Sequence, residues 1–197
     1  MTAPRQGGRG ARERILAAAA RLFYTRGIHA TGIAALTSAA HVSTRTFYQH
    51  FASKDALVEA YLRRYATDAP LPVVRELTRD DLPPAQRLLT IFDTIEAGDS
   101  AVVRGCPFHN AAVEAAGEMP DVTHLVQQYK QAFRHSLIRI AAEAGATDPE
   151  GLGRQLAVLY EGATALATSC DDIQPVSDAK TAAATLVRTA IAPVPGR

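Results

Sequence analysis

The sequence predicts an all-α protein in two parts, a small N-terminal helix-turn-helix module and a larger helical body. Three observations predict it. The 197 residues are 47% hydrophobic and rich in Ala, with few β-branched or Gly/Asn hairpin signals. Apolar residues recur at helical spacing in run after run. Charge is split along the chain. Residues 1–65 hold ten Arg/Lys and three acids, about +7, and the remainder is about −6, although the whole is only +1. Such asymmetry marks a basic module on a mildly acidic body.

Residues 1–9, with Gly7 and Gly8 among basic side chains, read as a flexible basic arm able to touch phosphates. The first helix is expected over Ala11–Thr25, on the stripe Ile15, Ala18, Ala19, Leu22 and Phe23, with Gly27 as its left-handed end. A short helix follows over Ile33–Ala39, then a turn at Ala40-His41-Val42. Ser43 is a good N-cap for the next helix, which carries Phe47 and Phe51 inward. Its other face shows Thr44, Arg45, Tyr48 and Gln49, with Thr46 and His50 near the edges. Small hydrogen-bonding groups, an Arg and an aromatic hydroxyl on a short exposed helix suit a DNA major groove. The alternative is a generic helical hairpin with a solvated face. Ser53 caps the following helix, and Lys54 beside its free N–H groups makes a phosphate seat.

Residues 12 to about 62 resemble the DNA-binding domain of the TetR family of bacterial transcriptional regulators. The matching positions are Ile15, Ala18, Ala19, Leu22, Phe23, Gly27, Thr31, Ile33, Ala40, Val42, Ser43, Thr46, Phe47, Tyr48, His50, Phe51, Lys54 and Leu57. The chain departs from the pattern at His41, where Gly is usual, at Leu36-Thr37 in place of Ile-Ala, and at Arg45, a position often Gly. The resemblance implies that Thr31, Tyr48 and Lys54 contact phosphates while Thr44 and Arg45 face base edges. Chemistry agrees for Arg45, whose guanidinium can bond guanine bidentately. The DNA-contacting set is thus Thr31, Ser43, Thr44, Arg45, Thr46, Tyr48, His50 and Lys54.

Prolines 70, 72, 83 and 84 break any long helix after Tyr65, so the boundary is placed near Arg64: a DNA-binding domain over 10–64 and an effector-binding and dimerisation domain over 65–197. Helices are expected over Ala85–Ala97, Pro107–Ala116, Pro120–Ala144, Asp148–Ser169 and Val176–Ala192. Asp148-Pro149 supplies an N-cap with a proline behind it.

The resemblance implies an effector pocket among the middle helices and a homodimer through the last two. Small residues on those two helices, Ala163, Ala165, Ala167, Ala179 and Ala182–Ala184, would allow close approach between subunits or within one. Pocket candidates are Phe92, Cys106, Phe108, His109, Asn110, Tyr129, Phe133 and Tyr160, polar groups mixed into apolar stripes. Cys106 near a helix start is either a thiol sensor or a small buried cysteine. Its C-x-x-H spacing to His109 has no second pair, so no metal is expected, and no cofactor.

No nucleophilic triad, phosphate loop or paired carboxylate appears, so no catalysis is expected. No apolar run reaches the ~18–20 residues that span a bilayer, and two cysteines fit a reducing cytoplasm. The expected protein is a repressor. As a homodimer it binds a palindromic double-stranded DNA operator, and a small apolar or aromatic effector releases it. The rivals are a helical ligand carrier or enzyme with a vestigial helix-turn-helix, and a protein that coats DNA without regard to sequence.

Overall fold

The computed structural model describes residues 7–68, 70–95 and 105–191. Among these, the regular elements are helical. They form two compact units, Met1–Ala69 with Pro107–Val126, and Pro70–Cys106 with Gln127–Arg197.

The first unit contains α1 (Gly7–Arg26), α2 (Ile33–Ala40), α3 (Thr44–His50), α4 (Lys54–Thr67), α7 (Pro107–Glu114) and the start of α8 (Pro120–Glu143). The α1 stripe packs as its spacing dictates: Ile15, Ala18, Ala19, Leu22 and Phe23 are all buried. Leu36 from α2, Phe47 from α3, and Leu57, Val58, Tyr61 and Leu62 from α4 complete the core. The Phe23 and Tyr61 rings meet edge to face at 5.6 Å. Helix α1 starts at Gly7, four residues before the expected Ala11, so residues 7–9 of the expected arm are helical, and its residues 1–6 lie outside the described part.

The second unit contains α5 (Pro72–Leu77), α6 (Pro84–Thr90), the remainder of α8, α9 (Pro149–Cys170) and α10 (Gln174–Ile191). Its core runs through Leu77, Leu88, Phe92, Leu137, Leu156 and Val187. Pro72 and Pro84 begin helices instead of only breaking them, because a proline's missing N–H costs nothing in a first turn. The single helix expected over Ala85–Ala97 is shorter. After Thr90 it tightens into a 3-10 turn at Ile91–Thr94, where the Thr94 hydroxyl donates to the Ile91 carbonyl at 2.6 Å. Asp148 caps α9 by accepting from the Gly151 N–H at 2.9 Å. Asp171 ends α9 in the left-handed region, φ 50°.

Candidate nucleic-acid interface

The turn between α2 and α3 is a left-handed cap. His41 has φ 52° and ψ 51°. Its N–H donates to Ser38 O at 3.2 Å, and the Val42 N–H donates to Thr37 O at 3.0 Å, which satisfies two of the carbonyls that α2 leaves open. Arg14 on α1 serves a third: its Nε donates to Ala40 O at 3.0 Å. A cation at a helix C-terminus also suits the helix dipole. In sequence Arg14 shows only as a share of the basic charge.

Ser43 then starts α3. Its Oγ accepts from the Thr46 N–H at 3.0 Å and lies 2.8 Å from the Thr46 hydroxyl. These two hydroxyls therefore set where the helix begins. Phe47 is fully buried and 6.0 Å from the Phe51 ring, so α3 is nailed to the core by one side. Thr44, Arg45, Tyr48 and Gln49 stand exposed on the other, with Thr46 and His50 half-buried at the edges. Tyr48 is 53% exposed although its ring meets Phe47 edge to face. It is an outward side chain, not a core one.

Lys54 opens α4. Ser53 caps this helix through the Ala56 N–H, and the Lys54 Nζ reaches the His29 carbonyl at 3.5 Å. Thr31 corrects an expectation. It is fully buried, and its hydroxyl donates to Gly27 O at 2.7 Å. It closes the α1–α2 turn from inside and offers nothing to a phosphate. That turn has a second support that the sequence did not announce. The His29 N–H donates to Glu114 Oε2 at 2.7 Å, and His29 Nε2 lies 2.5 Å from the Glu114 carbonyl.

In the second unit, Phe92, Phe133 and Tyr160 come together. The Phe133–Tyr160 centroids are 5.2 Å apart and the Phe92–Tyr160 centroids 6.0 Å. Burial pushes the Tyr160 and Tyr129 phenols above the ordinary tyrosine range, while a bond with Thr94 partly offsets this for Tyr160. Buried Cys106 lies 3.6 Å from the Lys130 Nζ, which donates to Glu161 at 2.5 Å. Phe108, His109 and Asn110 belong to α7 and so to the first unit, where Phe108 is fully buried. The structure thus divides the expected pocket set. Three aromatics are brought together, Cys106 and Tyr129 share their unit, and three α7 residues do not. Among the described residues no cluster of three or more His, Cys, Asp or Glu could hold a metal. No helix there is long and apolar enough to cross a membrane.

Comparison with known proteins decides the family. Residues 15–61 match the family described as bacterial regulatory proteins, tetR family, and residues 84–183 match the tetracyclin repressor-like C-terminal domain. The chain belongs to the TetR family of transcriptional regulators. A TetR-family regulator from Streptomyces coelicolor has a similar structure, with a TM-score of 0.82 at 28% identity over 93% of this chain and 97% of that one. The HTH-type transcriptional repressor DhaR of Mycobacterium sp. (strain GP1) is 29% identical over 123 residues, 61% of this chain and 60% of the relative. The HTH-type transcriptional activator FasR of Mycolicibacterium smegmatis is 38% identical over 97 residues, 47% of this chain and 42% of the relative. The chain therefore spans less than two thirds of these curated relatives. The matched family is described as bacterial regulatory proteins, and the relatives named here are transcriptional regulators.

Proposed function

We propose that this regulator is a ligand-responsive repressor that binds a palindromic operator as a homodimer and is released by a small-molecule effector. The observation that carries the operator reading is α3, with Phe47 buried on one side and Thr44, Arg45 and Tyr48 exposed on the other. Arg45 and Thr44 read base edges. Tyr48, His50 and Lys54 hold phosphates, and the Ser43–Thr46 cap fixes the register of the helix. The reading domain is placed over 10–64 and the effector and dimerisation domain over 65–197, of which Pro107–Val126 packs with the first compact unit.

The exposed face of α9 supports the homodimer. Val158 and Leu166 are 71% and 54% exposed, and a Cβ on Gly162 between them would meet nothing within 4 Å. Large apolar side chains beside a bare backbone suit a second copy's helix, with α10 alongside. The two recognition helices then enter major grooves about 34 Å apart, or a multiple of that.

The effector reading rests on Phe92, Phe133 and Tyr160 as an apolar wall, with Cys106 and Tyr129 as polar groups of the same unit. An apolar or aromatic molecule fits that mixture. It acts only if it binds the operator-competent state less tightly than the other state.

The test is fluorescence anisotropy with duplex DNA taken from upstream of the regulator's own gene, alongside light scattering to count subunits. A specific complex of two subunits per site is expected, and Val158→Lys with Leu166→Lys gives monomers that lose it. Equal affinity for every duplex sinks the operator reading. A dimer indifferent to both lysines sinks the α9 interface.

A further inference from the structure

Glu114 and His29 bind each other twice. The carboxylate of Glu114 accepts from the His29 N–H at 2.7 Å. The backbone carbonyl of Glu114 faces His29 Nε2 at 2.5 Å, and because a carbonyl can only accept, Nε2 carries the proton. Side chain meets backbone in one direction and backbone meets side chain in the other. Glu114 is the last residue of α7, so its carbonyl is among those with no partner inside the helix. The first bond is charge-assisted, the stronger kind.

The clasp closes on the turn that feeds the helix-turn-helix. Gly27 there has φ +92°, and a Cβ on it would stand 3.1 Å from the Glu114 carboxylate. Thr31 ties the far end of the turn back to Gly27 O. The His29 carbonyl is what the Lys54 Nζ reaches. One residue, His29, is thus held by Glu114 through its N–H and ring while its carbonyl steadies the lysine assigned to phosphate. Glu114 lies 85 positions along the chain from His29.

We infer that Glu114 is a positioning residue for operator binding: through His29 it fixes the α1–α2 turn and, by way of that turn, the place of Lys54. This rests on the operator reading above. A carboxylate near a phosphate-seeking lysine lowers DNA affinity by charge alone, so charge and clasp predict opposite signs for its removal.

The experiment uses the full chain, the duplex from upstream of its own gene, and an unrelated duplex of equal length. Glu114→Ala removes acceptor and charge, while Glu114→Gln keeps an acceptor for the His29 N–H. E114A is expected to bind the upstream duplex about tenfold more weakly, as loss of a charge-assisted bond implies. Its salt slope falls by about one phosphate contact. E114Q stays within about threefold of wild type with its slope unchanged. In the DNA-free protein, exchange of the His29 amide speeds at least about tenfold in E114A and little in E114Q. E114A binding as tightly as wild type or tighter overturns the proposal, as does equal loss in E114A and E114Q. So does weaker binding with an unchanged salt slope, which is what general destabilisation gives. A wild type that prefers neither duplex overturns the operator reading and the positioning role with it, while the His29 amide still reports whether the clasp exists.

Discussion

Gly153 on α9 packs against Ile138 on α8 so closely that a Cβ on the glycine would lie 2.5 Å from Ile138 Cγ1 and 2.8 Å from its N and Cα. Two of those three atoms are backbone, so no rotamer change relieves the contact. Alanine normally improves a helix interior by about 0.5–1 kcal/mol over glycine. Here overpacking reverses the sign. Gly153→Ala is expected to destabilise by about 1–3 kcal/mol. Adding Ile138→Ala should recover little of this, since it removes only the Cγ1 clash. Urea denaturation of the single and double variants measures it, and full recovery in the double variant would show that the side chain alone sets the spacing.

His41 occupies a left-handed backbone position without being glycine. Substituting a β-branched residue there adds strain of about 1–2 kcal/mol. Glycine removes the Cβ penalty but gains freedom in the unfolded chain, and the two nearly offset. His41→Val should therefore lower the melting temperature while His41→Gly leaves it almost unchanged. Because the turn sets the angle of α3, His41→Val also weakens DNA binding. A His41→Val protein as stable as wild type would mean that the imidazole, not the backbone, decides this position.

These two sites show what the sequence could convey. The turn at His41 and the caps Ser43, Ser53 and Asp148 are local, written within three or four residues, and the fold follows them. The buried stripe of α1 and the inward Phe47 and Phe51 are legible for the same reason. The Gly153–Ile138 contact, the His29–Glu114 clasp and the Lys130–Glu161 pair join positions distant in sequence, and no spacing rule links them. Thr31 misled for another reason. Threonine can offer its hydroxyl outward or to its own backbone, and only packing decides which. The pocket set is divided between the two units because an aromatic residue such as Phe108, fully buried here, reads alike in sequence whichever core it joins.

Glu143 gives a pH signature. The Arg87 guanidinium bonded to it, with Arg139 adding to the effect, holds its carboxyl below the usual range. A depressed folded-state pKa contributes stability above the unfolded value, and that contribution is lost as pH falls through the folded value. Glu143 is about a third exposed, so solvent screening keeps the pair itself within about 1 kcal/mol. Arg87 is only 12% exposed, and leaving its guanidinium unpaired raises the cost of losing Glu143. Glu143→Gln is therefore expected to melt lower than wild type near neutral pH. The gap should narrow below about pH 4.5, where the unfolded carboxyl titrates. Melting curves across that range check it, and a gap independent of pH would assign the loss to packing.

Arg45 and Lys54 test the proposed division between reading bases and holding phosphates. Both are basic, and charge alone predicts the same loss for either. The geometry predicts different losses. Arg45 stands exposed on α3, where a forked guanidinium can meet a guanine edge, whereas Lys54 sits half-buried at the start of α4 beside backbone N–H groups. Arg45→Ala should cost about 1–3 kcal/mol on the upstream duplex and much less on an unrelated one, relaxing preference at one base position. Lys54→Ala should weaken both duplexes alike and lower the salt slope by about 1. Arg45→Lys distinguishes shape from charge: it keeps the phosphate attraction but loses the fork, so nonspecific affinity survives while preference falls. Anisotropy titrations at several salt concentrations give all three quantities. If Arg45→Ala and Lys54→Ala weaken both duplexes equally, with equal slopes, α3 contributes charge without reading sequence, and base contacts must come from another element.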